Sequence, residues 1–177
     1  MPNLTLGIIG GGQLGSMLAV AAKKLEIKTV VFSDDADAPA QKFSTEFIHG
    51  KYSDLDKINE FIDSVDIVTY EFENIPYETL NEINKKKPVL PKPSVNRIIQ
   101  HRLAEKDFIN KLNIRTTQYV SIKKKSEIAP VEHFLPGLLK TTTLGYDGKG
   151  QYLINSIEDL DLFNIDFSKE YILEKLV

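Results

Sequence analysis

Residues 4–9 form an apolar run that ends on Gly10-Gly11-Gly12-Gln13-Leu14-Gly15. Glycines in G-x-G-x-x-G spacing, after a strand and before a helix, serve a tight turn in which the backbone must come close to something. Such a unit commits the start of the chain to a strand-turn-helix layer. Leu14, Met17, Leu18, Ala21 and Leu25 then recur at helical spacing, which predicts an apolar helix face. Residues 28–32 read as a second strand, closed by Ser33-Asp34-Asp35. Residues 54–64 read as a helix carrying Leu55, Ile58, Phe61 and Ile62 on one side. A third strand is expected at residues 67–70, a helix after Pro76, and a short fourth strand at Val89-Leu90. This alternation predicts a parallel sheet covered on both faces.

Lys85-Lys86-Lys87-Pro88 and Pro91-Lys92-Pro93 break the alternation and mark a domain exit, dividing the chain into residues 1–95 and 96–177. Ser94 is a candidate N-cap for one helical stretch with Ile98, Ile99, Leu103, Phe108, Ile109 and Leu112, and Asn113 is its stop. Strand-like segments follow at residues 118–122, 138–141, 150–154 and 171–176, with one helix expected at 157–163. Several strands with few helices predict a small α+β lobe. The apolar pattern still runs at Val177 with no closing turn, which reads as a fragment of a longer protein.

With 177 residues, 42% of them hydrophobic, the chain can bury a substantial core. Its net charge of −3 provides no broad basic field for nucleic acid, so any polyanion must be met by a few placed cations. Cysteine is absent, excluding disulfides and thiolate metal sites within the chain, in keeping with a reducing compartment. Neither a signal peptide nor a membrane-spanning apolar run is seen.

Three segments carry candidate chemistry. The first is the glycine turn, with Asp34 or Asp35 about 20 residues on; formally this is a dinucleotide fingerprint, open equally to plain strand-helix packing or another anion. The second is Tyr70-Glu71-Phe72-Glu73-Asn74, at the strand-end edge where open α/β sheets bind ligands. Its carboxylates could hold ribose hydroxyls or an amine, or it is an acidic loop with Phe72 packed inward. The third is Leu138-Leu139-Lys140-Thr141-Thr142-Thr143-Leu144, running into Gly145-Tyr146-Asp147-Gly148-Lys149-Gly150-Gln151. Three glycines among two lysines suit a phosphate cradle or a hairpin turn. Arg102 can pair with Glu105 on its helix or clamp phosphate oxygens. His49, His101 and His133 lack metal-like spacing.

Taken in order, Gly10-Gly11-Gly12-Gln13-Leu14-Gly15, Asp35-Ala36-Asp37-Ala38-Pro39-Ala40, Tyr70-Glu71-Phe72-Glu73-Asn74 and Gly145-Tyr146-Asp147-Gly148-Lys149-Gly150-Gln151 resemble 5-(carboxyamino)imidazole ribonucleotide synthases. These are ATP-grasp ligases of purine biosynthesis. The resemblance implies an α/β fold, with a Rossmann-like preATP-grasp domain followed by the first part of an ATP-grasp domain. The implied reaction joins 5-aminoimidazole ribonucleotide and bicarbonate at the expense of ATP, through carboxyphosphate. By matching position, Arg102 and Lys140 contact ATP phosphates, and Gly145, Tyr146, Asp147, Gly148, Lys149, Gly150 and Gln151 form a loop over the nucleotide. Glu174, Lys175, Leu176 and Val177 form the hinge that holds adenosine. Gln13, Leu14, Glu71 and Glu73, with Tyr146, Asp147 and Lys149, face the ribonucleotide. Thr142 and Thr143 stand where many relatives carry arginine. The family's Mg²⁺ ligands are expected beyond Val177, which leaves the chain inactive alone. A cytoplasmic homodimer with no nucleic-acid or membrane partner is also implied. Two other readings stand beside it: another ATP-grasp ligase, such as formate-dependent glycinamide ribonucleotide transformylase, and a non-catalytic module binding NAD(P) at the glycine turn.

Overall fold

The computed structural model describes residues 4–145 and 150–177. The chain divides into two compact units, Met1–Arg97 and Ile98–Val177.

The first unit is built on four parallel strands, β1 (Thr5–Ile9), β2 (Lys28–Ser33), β3 (Glu46–His49) and β4 (Ile67–Tyr70). Their order in the sheet is β3-β2-β1-β4. Parallel strands need crossovers, and helix α1 (Gln13–Lys24), the 3₁₀ turn Pro39–Lys42 and helix α2 (Leu55–Ser64) supply them, while helix α3 (Tyr77–Asn84) follows β4. On one face Ile9, Val30, Phe32 and Val68 pack against Phe61 and Ile62 of α2 and Leu80 and Ile83 of α3. On the other, Ile8 and Val31 pack against Ala19 of α1 and Ala40 of the 3₁₀ turn Pro39–Lys42. Covering both faces buries consecutive residues of the inner strands, which is why Val30, Val31 and Phe32 of β2 form an apolar run without alternation.

Helix α1 turns the opposite way from the sequence expectation. Gly15, Ser16, Ala19 and Ala22 are its buried residues, while Leu14, Met17, Leu18 and Leu25 are exposed. Close approach decides this. A Cβ on Gly15 would stand 2.5 Å from the carbonyl oxygen of Gly10, so only the small-residue face fits against the sheet. Strand β3 was not expected: as an edge strand, with Glu46 and His49 exposed, it lacks the apolar run of its neighbours. Val89-Leu90 is not a full strand, since Val89 forms only an isolated parallel bridge to Val68.

The second unit carries four antiparallel strands, β5 (Tyr119–Ile122), β6 (Gly137–Thr141), β7 (Gln151–Ile154) and β8 (Tyr171–Lys175), in the order β5-β8-β6-β7. Ile122, Leu139, Ile154, Tyr171 and Leu173 alternate into its core, joined by Ile128 and Leu160. The single helix expected from Ser94 to Leu112 is two: α4 (Pro93–Ile99) and α5 (Arg102–Lys111). The break has a cause. The Arg102 N–H donates to the Thr142 carbonyl at 2.9 Å instead of continuing a helix, and His101 Nδ1 accepts from Ala104 N–H as the new N-cap. Helix α5 has no fully buried residue, and Phe108 and Leu112 on its expected apolar stripe are exposed. Asn113 does stop it, at φ +60°. The segment expected as a helix at 157–163 is a 3₁₀ turn, Ile157–Asp161. Among the described residues, no helix is long and apolar enough to cross a membrane.

Candidate functional site

In the first unit the glycine turn closes on a carboxylate of the chain itself. Gly10 adopts φ +100°, which a side chain disfavours, and the chain then enters α1 with Gly12 as N-cap. Gly12 N–H donates to Glu71 Oε1 at 3.0 Å, and Ser16 Oγ donates back to the Gly12 carbonyl at 2.9 Å. Glu71 reaches the turn because it directly follows β4, and its own N–H donates to the Ile9 carbonyl at 3.1 Å. A helix N-terminus carries partial positive charge and ordinarily favours an anion. Here Glu71 is that anion. A dinucleotide pyrophosphate aimed at the same amides would meet a fixed negative charge, so the fingerprint reading loses its physical basis.

The ribose-binding acids of that reading are also engaged elsewhere. Burial and the neighbouring Asp34 carboxylate push the Tyr52 hydroxyl above its usual range, and Asp35 Oδ1 accepts from Asp37 N–H at 2.9 Å in a local turn. Gln13 and Leu14 sit exposed in the first turn of α1, beside the Gly12–Glu71 contact. Phe72 is exposed and not packed inward. Glu73 is held through its carbonyl, which accepts from the fully buried Asn96 at 2.8 Å. Asn96 lacked any sequence signal, since a lone asparagine in a short helix reads as surface.

In the second unit the sheet face opposite the core carries a charge cluster. Register pairs Lys140 with Ile172 and Leu138 with Glu174, so Lys140 and Glu174 project from one face, two residues apart across neighbouring strands. Lys140 Nζ lies 2.7 Å from Glu174 Oε2, and Lys106 Nζ, from α5, lies 3.2 Å from Glu174 Oε1. Burial pushes the Glu174 carboxyl up, but the Lys140 and Lys106 ammoniums outweigh it and hold it below the usual carboxylate range. Lys106 escaped the sequence reading, although its place four residues after Arg102 puts the two cations on one helix face.

Arg102 does not pair with Glu105. Its guanidinium donates to the Thr141 carbonyl at 2.8 Å and to the Gly145 carbonyl, tying down the start of the glycine loop. At the loop's far end Gly150 takes φ +70° and its carbonyl accepts from Thr141 N–H at 2.9 Å. Gln151 sits opposite Lys140 in register. Tyr146, Asp147, Gly148 and Lys149 lie outside the described residues. Between the two ends is a cleft of about 530 Å³, lined by Thr141, Thr142, Thr143, Gly145, Lys169 and Glu170 among others. Thr142 is buried, and both its N–H and its hydroxyl donate to the Glu170 carbonyl, at 3.0 and 3.2 Å. At the strand end Lys175 donates to the Gln118 carbonyl at 2.9 Å, and Leu176 to that of Pro136 at 3.1 Å. These bonds fix the backbone on which Glu174 is mounted, while Lys175, Leu176 and Val177 are exposed.

Comparison with known proteins decides the lineage. Residues 3–100 match the family described as ribonucleotide synthetase preATP-grasp domain. The chain belongs to the ribonucleotide synthetase preATP-grasp family. Residues 107–177 of this family member match the ATP-grasp domain. It is 40% identical over 164 residues to a bifunctional purine synthesis protein of Dictyostelium discoideum, covering 90% of this chain and 16% of that one. It is 37% identical over 174 residues to N5-carboxyaminoimidazole ribonucleotide synthase of Staphylococcus aureus strain COL, covering 97% and 46%. An ADP complex of an N5-carboxyaminoimidazole ribonucleotide synthetase superposes with TM-score 0.92 at 37% identity, over 100% of this chain and 48% of that one. The Aspergillus clavatus enzyme, in complex with ADP and 5-aminoimidazole ribonucleotide, superposes with TM-score 0.85 at 25% identity, over 100% and 48%. This ribonucleotide synthetase family member thus spans about half the length of the synthases it matches.

Proposed function

We propose that the whole protein is an ATP-dependent C–N ligase that carboxylates 5-aminoimidazole ribonucleotide with bicarbonate, giving the N-carboxylated ribonucleotide, ADP and phosphate in purine biosynthesis. The observation that carries this reading is the division of charge between the two units. The glycine turn of the first unit is filled by Glu71, whereas the second presents Lys140 and Arg102 around a glycine loop. Nucleotide phosphates therefore belong to the second unit. There Lys140 supplies a point charge, Gly145, Gly150 and Gln151 flank the triphosphate, and the backbone of Glu174, Lys175, Leu176 and Val177 meets adenosine. Arg102 holds the loop root through two carbonyls and has further guanidinium N–H groups to offer a phosphate. Phosphoryl transfer asks mainly for positioning and charge neutralisation, which such a set supplies.

In the first unit one Glu71 oxygen is bound to Gly12 N–H, leaving the other to accept from an amine or a ribose hydroxyl beside Gln13, Leu14 and Glu73. Tyr146, Asp147 and Lys149 complete the proposed contacts to the ribonucleotide. Mg²⁺ is proposed as the partner of ATP. Among the described residues no three His, Cys, Asp or Glu side chains gather as a metal site. The family resemblance further implies a cytoplasmic homodimer.

The test supplies ATP with either labelled bicarbonate and 5-aminoimidazole ribonucleotide, or labelled formate and glycinamide ribonucleotide, to the full-length protein. Label entering the imidazole ribonucleotide as a carbamate is expected. Formylated glycinamide ribonucleotide would overturn the reading in favour of the transformylase.

A further inference from the structure

Lys140 is expected to bind phosphate, yet it begins the cycle committed to Glu174. Its Nζ lies 2.7 Å from Glu174 Oε2, and both side chains are largely buried, with 21% and 10% exposed. A lysine that swings toward a phosphate leaves its old partner behind. A carboxylate stranded at such depth is strongly unfavourable, because neither water nor a counterion replaces what it lost. The second cation on Glu174 removes that difficulty. Lys106 Nζ holds the other oxygen, Oε1, at 3.2 Å and is itself only 16% exposed. It comes from α5 and not from the sheet, so nothing about Lys140's movement dislodges it. Its place is fixed by the Tyr119 ring 5.5 Å beneath the ammonium, and Tyr119 is in turn fixed by its hydroxyl, which donates to Asp107 at 2.6 Å. Tyr119 is also the strand partner opposite Glu174, so ring, ammonium and carboxylate are stacked over one pair of strands.

We infer that Lys106 is a positioning residue for nucleotide binding: it remains on Glu174 as a standing counter-ion, so that Lys140 can leave Glu174 for the nucleotide phosphates. Lys106 touches the carboxylate and not the phosphates, and it acts only through Glu174. The inference rests on the nucleotide reading above. It differs from a direct phosphate contact in one respect: the benefit of Lys106 must vanish when position 174 carries no charge.

The experiment is a double-mutant cycle on ATP affinity in the full-length protein, read by calorimetric titration. Lys106→Met is expected to weaken ATP binding by about tenfold or more, because the carboxylate then holds Lys140 against the phosphate. Lys106→Arg, which keeps the charge, is expected to retain most of the affinity. In a Glu174→Gln background, Lys106→Met is expected to change ATP affinity by less than about twofold. An equal loss in both backgrounds would overturn the inference by making Lys106 a direct ligand or a general structural support. No loss in either background would also overturn it. Should Lys106→Met melt far below the unmodified protein, Lys106→Gln repeats the cycle with a polar side chain. Failure of the unmodified protein to bind ATP is a separate result, which sinks the nucleotide reading itself and the role of Lys106 with it.

Discussion

Two glutamates satisfy the polar groups on which the proposed function turns. Glu71 satisfies the Gly12 amide at the start of α1, and Glu174 pairs with Lys106 and Lys140 in a largely buried cluster of the second unit. Glu174 has a measurable acid signature. Its carboxyl is lowered in the fold because two ammoniums outweigh burial. A group with a lowered folded value stabilises the protein above its unfolded pKa, about 4.3 for glutamate, and that contribution is lost as pH falls through the folded value. Urea denaturation between neutral pH and pH about 3 should therefore show a shallower acid loss of stability for Glu174→Gln than for the unmodified protein. Parallel curves would mean that Glu174 is not held ionised by its two lysines. At this scale the sequence was only partly legible. Lys140 and Glu174 stand out in strand patterns, but they lie 34 residues apart, and only strand register reveals that they meet. Arg102 was recognisable as a phosphate candidate, whereas its grip on the Thr141 and Gly145 carbonyls depends on where the glycine loop folds back.

The elements follow from simple patterning except where two backbones come unusually close. Helix α1 is the clearest case. Its large apolar residues, Leu14, Met17 and Leu18, gave a persuasive stripe, yet Gly15, Ser16, Ala19 and Ala22 form the buried side. Hydrophobic periodicity reports which residues prefer burial, not which are small enough for the gap available. Substitutions separate the two readings directly. Gly15→Ala is expected to cost about 1–3 kcal/mol in urea denaturation, since its methyl group meets the rigid Gly10 backbone and not a movable side chain. Met17→Gln is expected to change stability by no more than about 0.5 kcal/mol, as usual for an exposed position. The reverse ranking would restore the large-residue face as the core. The strands β6 and β8, by contrast, were legible from their consecutive apolar residues, Leu138-Leu139 and Tyr171-Ile172-Leu173.

At the scale of the whole chain, the composition excluded much and the order of motifs pointed to the rest. There is no broad basic field and no cysteine, and among the described residues no helix is long and apolar enough to cross a membrane. The change from strand–helix alternation to several strands with few helices was visible in the spacing of apolar runs, whereas the antiparallel pairing was not. What spacing could not resolve was which of two glycine-rich segments serves a nucleotide. The Glu71 carboxylate at the first, and the lysines and arginine at the second, are what the proposed placement of the nucleotide at the second rests on. The measurement that tests this account most directly is phosphate release from ATP by the full-length protein, with 5-aminoimidazole ribonucleotide and bicarbonate supplied together, singly or not at all. The account predicts release only when both are present. Release at the same rate without the ribonucleotide would contradict it.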